Sequence, residues 1–176
     1  MDTALQILVI EDSPTDRKLV DLHLRRSDLP CDLQFAETLS EASSSLSAEL
    51  SDVVLMDLNL PDSVGLDTFL ALHSQFPAIP IVVLSGQSDD EISAGALRHG
   101  AQDYLPKAEF SSNSLARSIR YAVERHERER LLRQLSDTEA ELETAARVQH
   151  QLFPEQAPEI PGFDIAGFCQ PATAAG

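Results

Sequence analysis

The segment "DVVLMDLNLPD", residues 52–62, carries the reading on which the rest of the chain depends. Four consecutive apolar residues, 53–56, run directly into Asp57. A short unbroken apolar run rich in β-branched residues reads as a strand covered on both faces, as in a parallel sheet. Two further runs share this form, "ILVI" at 7–10 and "IVVL" at 81–84. Weaker strand candidates are "LQFA" at 33–36 and "DYL" at 103–105. A carboxylate at the end of a buried strand either stops the strand or performs chemistry, and the pattern around it decides which.

Helical segments fall between the strands. In "SPTDRKLVDLHLRRS", 13–27, Ser13 is placed to cap a helix, Pro14 takes the first helical position and Asp16 falls at N3. "TLSEASSSLSAEL", 38–50, reads as a Ser-rich helix, and "GLDTFLALHSQF", 65–76, has Leu66, Phe69, Leu70 and Leu72 near helical spacing. "SDDEISAGALRHG", 88–100, opens on Ser88 with Glu91 three residues later and closes on Arg98, His99 and Gly100 as the C′ residue. Strand and helix thus alternate five times by about residue 125. The expected fold is α/β: a doubly wound, five-stranded parallel sheet with right-handed crossovers.

In open sheets of this kind, ligands bind beyond the carboxyl ends of the strands. Just past the three apolar runs stand Glu11 and Asp12, then Asp57, then Ser85, and past the last strand stands Lys107. Taken singly, each has an ordinary structural use as a helix cap, a strand stop or an ion-pair partner. Together they put five polar groups at one end of one sheet. Three carboxylates there repel one another, and a hard divalent cation such as Mg²⁺, which prefers oxygen ligands, removes the conflict. Lys107 adds positive charge and Ser85 a hydroxyl donor. The set suits a phosphoryl group on Asp57, with the carboxylate as nucleophile.

"ILVIEDSP", "VVLMDLNLPDSVGLD", "IPIVVLSGQ" and "GAQDYLPK" occur in this order, and over residue 5 to about 125 the chain resembles the receiver domain of bacterial two-component response regulators. That family has the flavodoxin-like fold of the chemotaxis regulators, sheet order 2-1-3-4-5. The resemblance implies that Asp57 is the phosphoacceptor, Asp12 a direct Mg²⁺ ligand and Glu11 an acid acting through water. It implies that Asn59 offers its backbone carbonyl to the metal, and that Ser85 and Lys107 hold the phosphoryl group. Ser85 and Tyr104 would form the switch, Tyr104 turning inward as Ser85 moves. It also implies a cis peptide at Leu105–Pro106 or at Pro106–Lys107. Glu11 stands where Asp is commoner, and Asn59 and Gln87 flank the expected path of hydrolytic water. Haloacid-dehalogenase-type phosphatases also use a strand-end Asp with Mg²⁺. They need a second Asp two residues on, where this chain has Asn59.

The chain has 176 residues, 43% of them hydrophobic, and a formal net charge of −16. Residues 1–110 hold 19 acidic and 6 basic side chains, and residues 111–176 hold 10 and 7. This balance argues against a nucleic-acid surface, which needs clustered Lys and Arg. Cys31 and Cys169 read as free thiols of a reducing compartment. No apolar run approaches the ~20 residues of a membrane helix, and "MDTALQ" lacks the features of a signal peptide. A soluble, cytoplasmic protein without membrane contact is expected.

No Gly or Pro occurs between Asn113 and Phe153, so a helix of about 40 residues, ~60 Å long, is expected there. Leu131, Leu135, Thr138, Leu142, Ala145, Gln149 and Leu152 follow alternating spacings of four and three, an a/d seam for a parallel dimeric coiled coil. The alternative is a single amphipathic helix packed on its own chain. Pro154, Pro158 and Pro161 end the helix, and "FDIAGFCQ" at 163–170 reads as one strand. This last part resembles the entry of bacterial metal-dependent serine/threonine phosphatases of the sporulation type, whose Gly-Gly-Asp metal motif is missing from this chain. The expected organisation is a receiver domain at 1–125, a helical linker at 126–153 and the truncated start of a phosphatase domain at 154–176. The expected function is a response regulator. A sensor histidine kinase or phosphotransfer protein would phosphorylate Asp57, and the signal would pass through a homodimeric helix to a phosphatase effector acting on an anti-sigma-factor-antagonist type of substrate. This chain by itself would be no phosphatase, and its only chemistry would be self-catalysed phosphotransfer and autodephosphorylation. The alternative is a dimerisation and partner-binding module that works without phosphorylation.

Overall fold

Each strand of the sheet is followed by a helix that covers one of its faces. The computed structural model of the chain describes residues 4–49, 51–86, 90–152 and 162. The elements are β1 Leu5–Ile10, α1 Pro14–Arg25, β2 Cys31–Ala36, α2 Leu39–Ala48, β3 Val53–Asp57, α3 Leu66–Gln75, β4 Ile81–Ser85, α4 Asp90–Arg98, β5 Asp103–Pro106 and α5 Ser112–Leu152. The strands form one parallel sheet in the order β2-β1-β3-β4-β5. This is the doubly wound, flavodoxin-like α/β arrangement expected. Two small additions were not legible in the sequence. An antiparallel ribbon pairs Asn59–Leu60 with Ser63–Val64, and a short 3₁₀ turn covers Lys107–Glu109.

The central strands are apolar throughout because alternate side chains enter two different cores. Leu8, Ile10, Val54, Met56 and Val83 pack with Phe69 and Leu72 of α3 and with α2 and α4. Ile7, Val9, Val53, Leu55, Val82 and Leu84 pack with Val20 and Leu24 of α1 and Leu115 and Ile119 of α5. β2 begins two residues before the expected "LQFA". β5 runs on through Pro106, which an edge strand tolerates because one side of its backbone makes no ladder bonds. Neither Leu105–Pro106 nor Pro106–Lys107 is cis, against the expectation; Pro106 continues the extended strand in register with Ser85.

Local signals set the helix ends. Ser13 caps α1 by accepting the Asp16 amide at 3.3 Å, with Pro14 in the first turn, and Thr38 caps α2 by accepting the Glu41 amide at 3.1 Å. α4 stops at Gly100 (φ 109°), where the Ala101 amide turns back to the Ala96 carbonyl at 3.0 Å. Ser88, expected to cap α4, lies outside the described residues.

The chain divides into two compact units, Met1–Arg128 and Glu129–Gly176. In the first, α5 buries Leu115, Ala116, Ile119 and Ala122, a helical stripe against the sheet. In the second, Leu131, Leu132, Leu135 and Leu142 of the same helix are exposed, and the Thr138 hydroxyl bonds back to the Gln134 carbonyl. The side chains of Ala145, Gln149 and Leu152 lie outside the described residues, as do the expected strand at 163–170 and Cys169. No helix among the described residues is long and apolar enough to cross a membrane.

A Cβ at Gly100 would meet His73 Nε2 at 3.1 Å as well as a left-handed φ. Gly100→Ala should therefore cost about 1–3 kcal/mol of folding stability. A lower urea midpoint at unchanged m-value is the expected result.

Candidate functional site

Four strand ends and one helix turn build the site. At the end of β1 the Glu11 amide donates to the Ala36 carbonyl at 2.9 Å, which keeps the backbone in line with the edge of the sheet. The Glu11 side chain is fully buried, and its Oε1 accepts the Ser13 amide at 3.1 Å. Asp12, the next residue, is exposed. Asp57, the last residue of β3, is buried, and its Oδ1 accepts the Asn59 amide at 3.0 Å. Ser85 ends β4 and is also buried; its hydroxyl has no hydrogen-bond partner among the described residues. Lys107 follows the last residue of β5 and reaches back across the edge.

The Lys107 ammonium is the centre of the arrangement. It donates to Asp57 Oδ2 at 2.7 Å and to Asp16 Oδ2 at 2.8 Å. Glu11 Oε2 lies 2.6 Å away as a charge contact without an aligned hydrogen bond. Burial alone would lower the lysine, but its bonds to Asp16 and Asp57 and its charge contact with Glu11 outweigh that and hold it above the ordinary lysine range. Burial pushes the Glu11 carboxyl up. Lys107 and the Ser13 amide pull against this and the Asp57 charge adds to it, leaving Glu11 raised. Three carboxylates around one ammonium leave the cluster net negative.

One oxygen from each of Glu11, Asp12 and Asp57 lies within 4.8 Å of the others. All are hard oxygen donors, two are buried, and the local charge is unbalanced, so the set fits a hard divalent cation that keeps part of its water shell. The unpartnered Ser85 hydroxyl calls for an acceptor at the same edge. The expected residues Glu11, Asp12, Asp57 and Lys107 thus come together, with Ser85 on the neighbouring strand. Asn59 stands exposed two residues past Asp57, and Tyr104 is exposed on β5. Gln87 lies outside the described residues.

Two contributors were missed in the sequence. The sequence places Asp16 at N3 of α1, yet its carboxylate goes to Lys107, a partner that its position in the sequence does not signal. Asp62, in the loop after Asp57, accepts the amides of Leu39 and Ser40 at 2.9 and 3.0 Å and so ties that loop to the start of α2. These amide bonds hold its carboxyl below the usual range.

Residues 7–120 match the family described as "Response regulator receiver domain". KdpE, the KDP operon transcriptional regulatory protein of Escherichia coli, is 32% identical over 148 residues, covering 82% of this chain and 63% of the relative. NtrC of Proteus hauseri, a DNA-binding transcriptional regulator, is 29% identical over 101 residues, covering 57% of this chain and 21% of the relative. Among solved structures, NtrX from Brucella abortus superposes with a TM-score of 0.66 at 27% identity, covering 76% of this chain and 30% of that one. The chain therefore spans less than two thirds of these relatives.

Asp57→Asn removes one carboxylate from the cluster while keeping an acceptor for the Asn59 amide, so the metal-free protein should melt higher. Lys107→Met strands the buried Glu11 charge and should cost about 3 kcal/mol. Thermal melts in EDTA measure both, and a lower midpoint for Asp57→Asn would show that its pairing with Lys107 outweighs the repulsion.

Proposed function

The chain belongs to the response regulator receiver domain family, and from that premise we propose that Asp57 is the phosphoacceptor of this two-component protein. The observation that supports this best is the Asp57 carboxylate at the end of β3, held by the Lys107 ammonium beside Glu11 and Asp12. The donor is a phosphohistidine of a sensor kinase or phosphotransfer protein. An Asp57 carboxylate oxygen attacks phosphorus; the O–P bond forms, the P–N bond breaks, and its electron pair stays on the donor imidazole. Asp57 needs no base, because an ionised carboxylate carries no proton to lose.

Lys107 neutralises the charge gathering on the phosphoryl oxygens, and Ser85 donates its free hydroxyl to one of them. Asp12, Asp57 and the Asn59 carbonyl are the direct ligands proposed for Mg²⁺, with Glu11 acting through water. The ion would offset the negative charge of the nucleophile and of the transferred group. The relay is proposed to pass from Ser85 to Tyr104, whose ring is exposed on the neighbouring strand β5.

For the output we propose the organisation 1–125, 126–153 and 154–176. The exposed Leu131, Leu135 and Leu142 support a homodimeric helix. The proposal of a serine/threonine phosphatase beyond it, with an anti-sigma-factor-antagonist type of substrate, rests on the sequence of residues 149–172. A DNA-binding output is the second reading, favoured by the names of the transcriptional regulators that match.

Acetyl phosphate with Mg²⁺ should add one phosphoryl mass to the protein, and Asp57→Ala or EDTA should abolish it. A protein that dimerises yet takes no phosphoryl group would support the phosphorylation-independent module instead. Leu135→Lys should convert a dimer to a monomer in light scattering, and a monomeric wild type would remove the coiled coil.

A further inference from the structure

Lys107 meets more carboxylate than it needs. An ammonium has three N–H donors, and here Asp57, Asp16 and Glu11 surround it at 2.6–2.8 Å. Glu11 and Asp57 alone would over-neutralise it. Asp16 adds another negative charge to a cluster already short of cations, which costs Coulomb energy. Helix capping does not explain the direction of this side chain. The Asp16 amide bonds Ser13 Oγ, but the Ser13 amide bonds Glu11 Oε1, so the Asp16 carboxylate is not used on the helix end. An acid in the first turn suits the helix dipole wherever it points, yet this one points at the site lysine.

We propose that Asp16 is a positioning residue that sets how much of the Lys107 ammonium is available to Asp57 and to a phosphoryl group on it. The proposal rests on the reading of Asp57 as the phosphoacceptor. In the unphosphorylated protein Asp16 gives Lys107 a second place to bond, which frees Asp57 oxygens for a cation. On aspartyl phosphate the ammonium must turn toward the new oxygens, and Asp16 both retains an N–H and adds repulsion. Asp16 therefore favours the metal-bound, unphosphorylated state and disfavours the phosphorylated one.

These two effects have opposite signs, which a merely structural role does not produce. The test is calorimetric titration of the full chain with Mg²⁺, then with beryllofluoride, a phosphoryl mimic, at saturating Mg²⁺. Asp16→Asn should bind Mg²⁺ about fivefold more weakly and beryllofluoride about fivefold more tightly, the size of one partly exposed charged hydrogen bond. Asp16→Glu, which restores the charge, should return both affinities toward wild type. Affinities that stay unchanged in Asp16→Asn, or move in the same direction, overturn the proposal. Circular dichroism of each variant confirms that the fold is intact. If the wild type itself binds no beryllofluoride with Mg²⁺, the phosphoacceptor reading falls, and this proposal with it. If the wild type binds and Asp16→Asn matches it, only the positioning role falls.

Discussion

A single ammonium holds the acidic edge of this fold together. Glu11 is fully buried, Asp57 nearly so, and both lie against Lys107. Charges withdrawn from water are costly unless paired, and removing the partner costs more than the pair contributes. The lysine can serve because β5 ends beside β4, with Pro106 in register with Ser85. The sheet order therefore matters to the chemistry: the acids of β1 and β3 and the lysine after β5 meet only because β4 lies between β3 and β5 and keeps all their ends level.

Much of this was legible because burial on both faces leaves a strong mark in sequence. Strands 7–10, 53–56 and 81–84 are unbroken apolar runs, and no amphipathic alternative competes for them. The polar residues that follow each run were readable for the same reason, since a strand end fixes where the next side chain stands. β2 was under-read because it lies at the sheet edge: Asp32 and Gln34 interrupt its pattern, and Cys31 and Asp32 were left out. Pro106 was not recognised as strand because proline usually marks a boundary, a rule that an edge strand relaxes.

The site was less legible where one residue could satisfy two local roles. Asp16 fits N3 of a capped helix so well that its sequence position carries no hint of a lysine 91 positions away. Asp62 likewise looks like a turn residue after proline, and only the fold shows its carboxylate against the first amides of α2. Long-range partners of this kind leave no periodicity. The four-three spacing along α5 has the opposite character: its pattern is clear in sequence, and the structure shows Leu131, Leu135 and Leu142 exposed.

The loop that follows Asp57 is tied down at several points. Asn59 bonds Asp57 itself, the Leu58 carbonyl accepts both the Gly65 amide at 2.7 Å and the Thr68 hydroxyl at 3.0 Å, and Asp62 is fastened to α2. A carboxylate beside a slack loop would have to be oriented afresh for each ligand, at a cost in entropy. Here that cost is met during folding. The Asp57 carboxylate is therefore held in place before any ligand arrives, its Oδ1 on the Asn59 amide and its Oδ2 on Lys107.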